Sequence, residues 1–197
     1  MKYIPMVMGL LLSTPVWADE ALCDLESDGR SFTHLAQEGT SKVERLDVPE
    51  GAGALRFEAR FAAFRDYDYF MPNFQIRFKS RDNPEFNLMF RMRMGDEAII
   101  ATTDLLTDGN TSPHADGPNI RGFEYRGRAR QPFRADILWT AQGEYTVRIY
   151  TTDKGFDGPY TSRTRSAGAP VQVYVISQAA KMEIKNLRFG KVCAAIP

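Results

Sequence analysis

Leu55-Arg56-Phe57-Glu58-Ala59-Arg60-Phe61 is the stretch that decides the fold class. Apolar and charged residues alternate with a period of two, so an extended backbone buries one face and wets the other. The pattern recurs in Phe74-Gln75-Ile76-Arg77-Phe78-Lys79 and in Phe86-Asn87-Leu88-Met89-Phe90-Arg91-Met92-Arg93-Met94. It returns in Tyr145–Tyr150, in the β-branched run Val171–Ile176, and in Met182–Phe189. Turn signals separate these runs: Pro49-Glu50-Gly51, Asp82-Asn83-Pro84, Asp108-Gly109-Asn110, Asp116-Gly117-Pro118, Asp157-Gly158-Pro159 and Gly168-Ala169-Pro170. No segment carries a helical stripe over three turns. Many half-buried antiparallel strands with such punctuation predict an all-β chain, two sheets packed face to face.

Upstream of this pattern the chain changes character. Lys2 precedes an apolar run over Ile4–Leu12, then Pro15 and the small-residue signature Val16-Trp17-Ala18. Residues 1–18 therefore read as a signal peptide, and 19–197 as one β-sandwich domain. The apolar run is about half the roughly twenty residues a membrane span requires. Asp19 and Glu20 stop it, and Leu22 before Cys23 is too bulky for a lipobox. The expectation is a periplasmic or secreted protein with no membrane insertion.

The chain has two cysteines, Cys23 and Cys193, close to the two ends of the domain. In an oxidising compartment this count reads as one disulfide. The bridge would require Cα atoms within about 7 Å, which sets the first and last strands side by side. With 25 acidic and 25 basic residues the net charge is zero, so no global field draws the chain to nucleic acid.

The closing segments Gly143–Tyr150, Pro170–Val175 and Met182–Gly190 resemble the end of a concanavalin A-like lectin/glucanase jelly roll. In that superfamily a terminal strand returns beside the first, in agreement with the cysteine pair. The resemblance implies a glycan ligand, but the glucanase strand Glu-x-Asp-x-x-Glu is absent. The alternating positions here carry Arg, Gln and Asn instead. Alginate-lyase relatives use a Gln-x-His strand with Tyr and Arg, and neither His34 nor His114 sits in such an arrangement. Both histidines read as surface residues, and no side chain is assigned a catalytic role. A lyase working with Tyr and Arg alone is an alternative, since Tyr can transfer protons. An envelope interaction protein without a small ligand is another.

Two segments offer ligand-binding chemistry. Phe64-Arg65-Asp66-Tyr67-Asp68-Tyr69-Phe70 gathers aromatic rings and carboxylates, and Tyr67 and Tyr69 are the candidates for stacking on sugar rings. Farther on, Arg121, Arg126, Arg128, Arg130 and Arg134 cluster. If that segment is extended, Arg126, Arg128 and Arg130 share one face and suit an anionic glycan. The competing reading is a solvated row paired with Glu124 and Asp136. No cofactor is expected. The acidic stretches from Asp104 to Asp116 and from Asp153 to Gly158 leave a structural calcium ion as an alternative, although neither has EF-hand spacing. Asn110-Thr111-Ser112 forms a glycosylation sequon, relevant in a eukaryotic host.

Overall fold

The computed structural model describes residues 22–36, 40–49, 51, 53–64, 72–81, 85–93, 98–106, 123–128, 130–151, 157–165 and 168–192. They form thirteen strands: β1 (Leu22–Cys23), β2 (Arg30–Leu35), β3 (Ser41–Asp47), β4 (Gly53–Phe64), β5 (Asn73–Ser80), β6 (Glu85–Arg93), β7 (Ala98–Leu106), β8 (Phe123–Arg128), β9 (Phe133–Trp139), β10 (Glu144–Thr151), β11 (Asp157–Arg165), β12 (Pro170–Gln178) and β13 (Ala180–Val192). One sheet runs β1-β13-β4-β9-β10-β11, with β2 also on β13; the other runs β3-β12-β5-β6-β7-β8. Every pairing is antiparallel.

The expected adjacency of the first and last strands is present. Leu22 pairs with Val192 and Cys23 with Lys191. Cys193 itself lies outside the described residues. Because β4 occupies one edge of β13, β1 and β2 take successive lengths of the other.

Alternation puts large apolar side chains between the sheets. Leu55, Phe57 and Phe61 of β4, Phe133, Ile137 and Trp139 of β9, and Tyr145 and Val147 of β10 are all buried. They meet Phe74, Ile76 and Phe78 of β5, Phe86, Leu88 and Phe90 of β6, and Val173 and Val175 of β12. Rings join the layers: Phe86 stacks on Tyr145 with centroids 4.3 Å apart, Phe90 on Phe133 at 4.6 Å, and Phe57 meets Phe74 edge-on at 5.8 Å. Each buried ring contributes about 1.5–3 kcal/mol from its apolar area, and each such pair about 0.5–1.5 more. This seam holds the sandwich closed.

Two local expectations need correction. Met182–Phe189 is not one uninterrupted alternation. Ile184 and Leu187 both face the core with Lys185 and Asn186 exposed between them, and the register slips between Lys185 and Arg188. Two polar residues between apolar ones break the period, and a bulge absorbs the extra residue. Asn186 takes the left-handed conformation there, at φ 53°, one that Asn tolerates better than most residues. Secondly, Asp157-Gly158-Pro159 is not a turn but the start of β11, with Asp157 paired to Thr151 across a second irregularity.

Candidate functional site

Strands β3, β12, β5, β6 and β7 lie side by side, so their outward positions form rows across the six-stranded sheet. One row holds Arg45, Tyr174, Arg77 and Asn87, each opposite the next. A neighbouring row holds Ile176, Gln75 and Met89, and a third Gln178, Asn73 and Arg91. The core-facing partners on the same strands are phenylalanine, isoleucine, leucine and valine, which is why these polar residues point away from the core.

Their side chains are tied to one another. Arg77 donates from Nε and Nη2 to Gln75 Oε1 at 3.0 and 2.9 Å. Gln75 Nε2 donates to Asn73 Oδ1 at 2.8 Å, and Asn73 Nδ2 to Gln178 Oε1 at 2.9 Å. At the other side of the row the Gln172 amide donates to Tyr174 Oη at 2.8 Å and accepts from Arg45 Nε at 3.2 Å and from Arg45 Nη2. The result is a ladder of amides and guanidinium groups, most of it half-exposed. Asn87 in the central row is fully buried, and both its amide atoms lack a hydrogen-bond partner. An unsatisfied buried group costs about 1–3 kcal/mol, so this position departs from ordinary sheet packing.

The ligand-binding residues expected from the sequence fall in different places. Arg126 and Arg128 belong to β8, at the edge of this same sheet, with Arg128 opposite Ala98. Arg130 lies past the end of the strand, in a turn, so the three do not continue one extended row. The Arg130 guanidinium sits 5.5 Å from the centre of the Phe64 ring on β4. Tyr67 and Tyr69 lie outside the described residues, as do His114, Asn110 and the acidic stretch beyond Leu106. Asp104, read as the start of that acidic stretch, is part of β7. The sequence carries a signal for the ladder in the amides and arginines at alternate positions of β5, β6 and β12, but not the register that joins them.

The outward face of the seven-stranded sheet is built differently. Arg56 of β4 grips Asp136 of β9 bidentately, Nε to Oδ1 and Nη2 to Oδ2, both at 2.8 Å. Asp136 is completely buried, while the Arg56 side chain keeps 21% exposure. This corrects the expectation that Asp136 is a solvated partner of the arginine row: its nearest cation comes from another strand, and Arg134 approaches only to 3.8 Å. Thr146, Arg148 and Tyr150 of β10 are also buried, although they alternate with core residues and face outward. The Arg134 guanidinium lies 4.0 Å above the Tyr150 ring. Farther along the sheet Glu58, Ala59, Arg60, Pro132, Glu183 and Lys185 line a shallow depression, crossed by the exposed Arg60–Glu183 pair at 2.6 Å.

His34 is the other departure from expectation. It is a buried residue of β2, not a surface one, with Nδ1 3.0 Å from Ser177 Oγ of β12 and its ring 4.9 Å from that of Phe32. Loss of solvation holds its imidazole below the usual histidine range; Glu44 raises it and Lys42 lowers it to a smaller degree. The contact joins the two sheets. Among the described residues no group of three or more His, Cys, Asp or Glu side chains is arranged to hold a metal ion, and no helix is long and apolar enough to cross a membrane.

Solved structures share this architecture. The basic winged bean lectin with Tn-antigen matches with a TM-score of 0.53 at 10% identity, over 89% of this chain and 97% of that one. The fold is a jelly roll. The CBM2 module of the evolved Dit from Lactobacillus casei BL23 phage J-1 gives 0.53 at 8% identity, covering 84% and 77% of the two chains. A tetrameric galectin from the ball sponge Cinachyrella sp. gives 0.51 at 10% identity, covering 74% and 97%. No protein-family model and no curated protein matches the sequence. At these identities the likeness concerns the jelly-roll architecture alone.

Proposed function

We propose that the chain is an exported carbohydrate-binding module whose ligand, an anionic glycan, lies along the outward face of the six-stranded sheet. The observation that carries this reading is the ladder Arg77–Gln75–Asn73–Gln178, in which each side chain is held by the next. Sugar hydroxyls need donors and acceptors at fixed positions, and side chains already ordered lose little entropy on binding. Arg45 and Arg77 supply planar forks for a carboxylate or sulfate group, and Tyr174 between them supplies a ring and a hydroxyl. Arg126 and Arg128 on β8 extend the proposal to the edge of the sheet, and Tyr67 and Tyr69 remain candidates for stacking. Export rests on residues 1–18, with Cys23 and Cys193 as a disulfide. The pairing of Cys23 with Lys191, two residues before Cys193, supports it.

A polysaccharide lyase is the second reading, favoured by Tyr174 standing opposite both Arg45 and Arg77, since Tyr can move a proton while Arg neutralises a uronate. A glycan array, run beside an absorbance assay for unsaturated uronate products, separates the two. The expected result is retention of acidic glycans, weakened at least tenfold in Arg77→Gln, without product. Product formation moves the assignment to the lyase, and retention indifferent to Arg77 removes the ladder from the site.

A further inference from the structure

The outward face of β10 holds two hydrogen-bond donors that lack an acceptor. Arg148 is 5% exposed, and its Nη1 has no hydrogen-bond partner. Tyr150, two residues on and therefore on the same face, is 3% exposed, and its hydroxyl is unpartnered as well. Asp136 stands opposite Arg148 in the register and would be its natural counter-charge. Both oxygens of that carboxylate are instead directed at Arg56. The Tyr150 ring is clamped beneath the Arg134 guanidinium, which fixes where its hydroxyl points. On the far side Thr161 of β11 stands opposite Arg148.

Buried polar groups are almost always satisfied, and a buried guanidinium is the most demanding of them because it carries a full charge. A water molecule here would answer the hydrogen bonds but not the charge. An acceptor with negative charge answers both. We propose that this face holds a binding site for a small oxyanion, a carboxylate or sulfate group, which accepts from Arg148 Nη1 and from the Tyr150 hydroxyl. Arg56 and Arg134, whose side chains keep 21% and 19% exposure, border its approach. The site lies on the sheet opposite the amide ladder, so it stands or falls independently of the glycan reading.

The test is the thermal unfolding of the full chain in sodium sulfate, acetate and glucuronate, each compared with chloride at equal ionic strength. The expected result is a saturable rise in Tm with at least one oxyanion. Tyr150→Phe, which removes a single donor and keeps the ring, shifts the half-saturating concentration upward about fivefold. Arg148→Gln, made in an Arg77→Gln background that removes the anion fork of the other sheet, abolishes the rise, whereas Arg77→Gln alone retains a saturable response that depends on Arg148. A glucuronate response stronger than that of acetate identifies the anion as sugar-borne, whereas equal responses identify a free anion. A rise equalled by chloride overturns the proposal. So does a response that Tyr150→Phe leaves unchanged, a variant that remains informative even where Arg148→Gln unfolds.

Discussion

The outward faces of the two sheets start from the same alternation and end in different states, although Gln75 and Asn87 are buried on the six-stranded sheet as well. On the six-stranded sheet the outward polar residues join in an amide–guanidinium ladder, and most remain half-exposed. On the seven-stranded sheet the outward residues at the middle of β9 and β10 are buried almost as deeply as the core, with Asp136 at 0% and Arg148 at 5%. A period of two therefore says which residues leave the core, but not whether they reach water. The energetic consequence differs as well: hydrogen bonds near solvent exchange with water at little net gain, while a desolvated ion pair cannot lose one partner cheaply.

Three substitutions sharpen this contrast. The largest effect is expected from Asp136→Ala, which strips Arg56 of its bidentate partner beneath the surface. A loss of about 3 kcal/mol is expected, the low end for a broken buried pair because Arg56 is partly exposed. Chemical denaturation measures it, with Asp136→Asn as the control that keeps the shape and removes the charge. A loss below 1 kcal/mol would mean that this face is effectively wet. Gln75→Ala on the ladder comes next. It removes the shared acceptor of Arg77 and the donor to Asn73, and is expected to cost about 1–2 kcal/mol. Crystallography or side-chain NMR should then find Arg77 mobile; an Arg77 still fixed in place would show that the ladder does not order it. The smallest effect belongs to Glu183→Ala, which breaks the exposed pair with Arg60. About 0–1 kcal/mol is expected, falling further with added salt. A larger loss would place this rim with the buried pair of Arg56 and Asp136.

The sequence revealed the sandwich because its decisive strands, such as Leu55–Phe61 and Phe74–Lys79, keep strict alternation over at least six residues. Strands without that property stayed hidden. In β7, Ile99-Ile100-Ala101 and Leu105-Leu106 place apolar residues at successive positions, which is no period at all. In β9 Leu138 is apolar and outward, so Ile137-Leu138-Trp139 reads as a short apolar run. The ladder was legible in composition but not in connection. Each strand shows its own Gln, Asn or Arg, yet only the register that sets β12, far along the chain, beside the β5–β6 ribbon brings Gln178, Asn73 and Arg91 into one row. The Arg56–Asp136 pair hid for the same reason, its members being 80 residues apart.

The position of β13 also governs when this molecule can fold. The strand from residue 180 to 192 supplies an edge to β4 and the pairing of β1 and β2, all from the first third of the chain. β1 and β2 have no strand to pair with until the final segment is available, and contacts of such sequence separation put folding on a timescale of about milliseconds to seconds. The β5–β6 and β6–β7 ribbons, whose partners are consecutive, can form well before that. The β9–β10 and β10–β11 ribbons of the other sheet are consecutive as well, so both sheets can start locally while β1 and β2 wait for the last strand. For a chain that must be threaded through a membrane pore before folding, as the proposed export requires, a sheet that closes only with its last strand leaves time for the crossing.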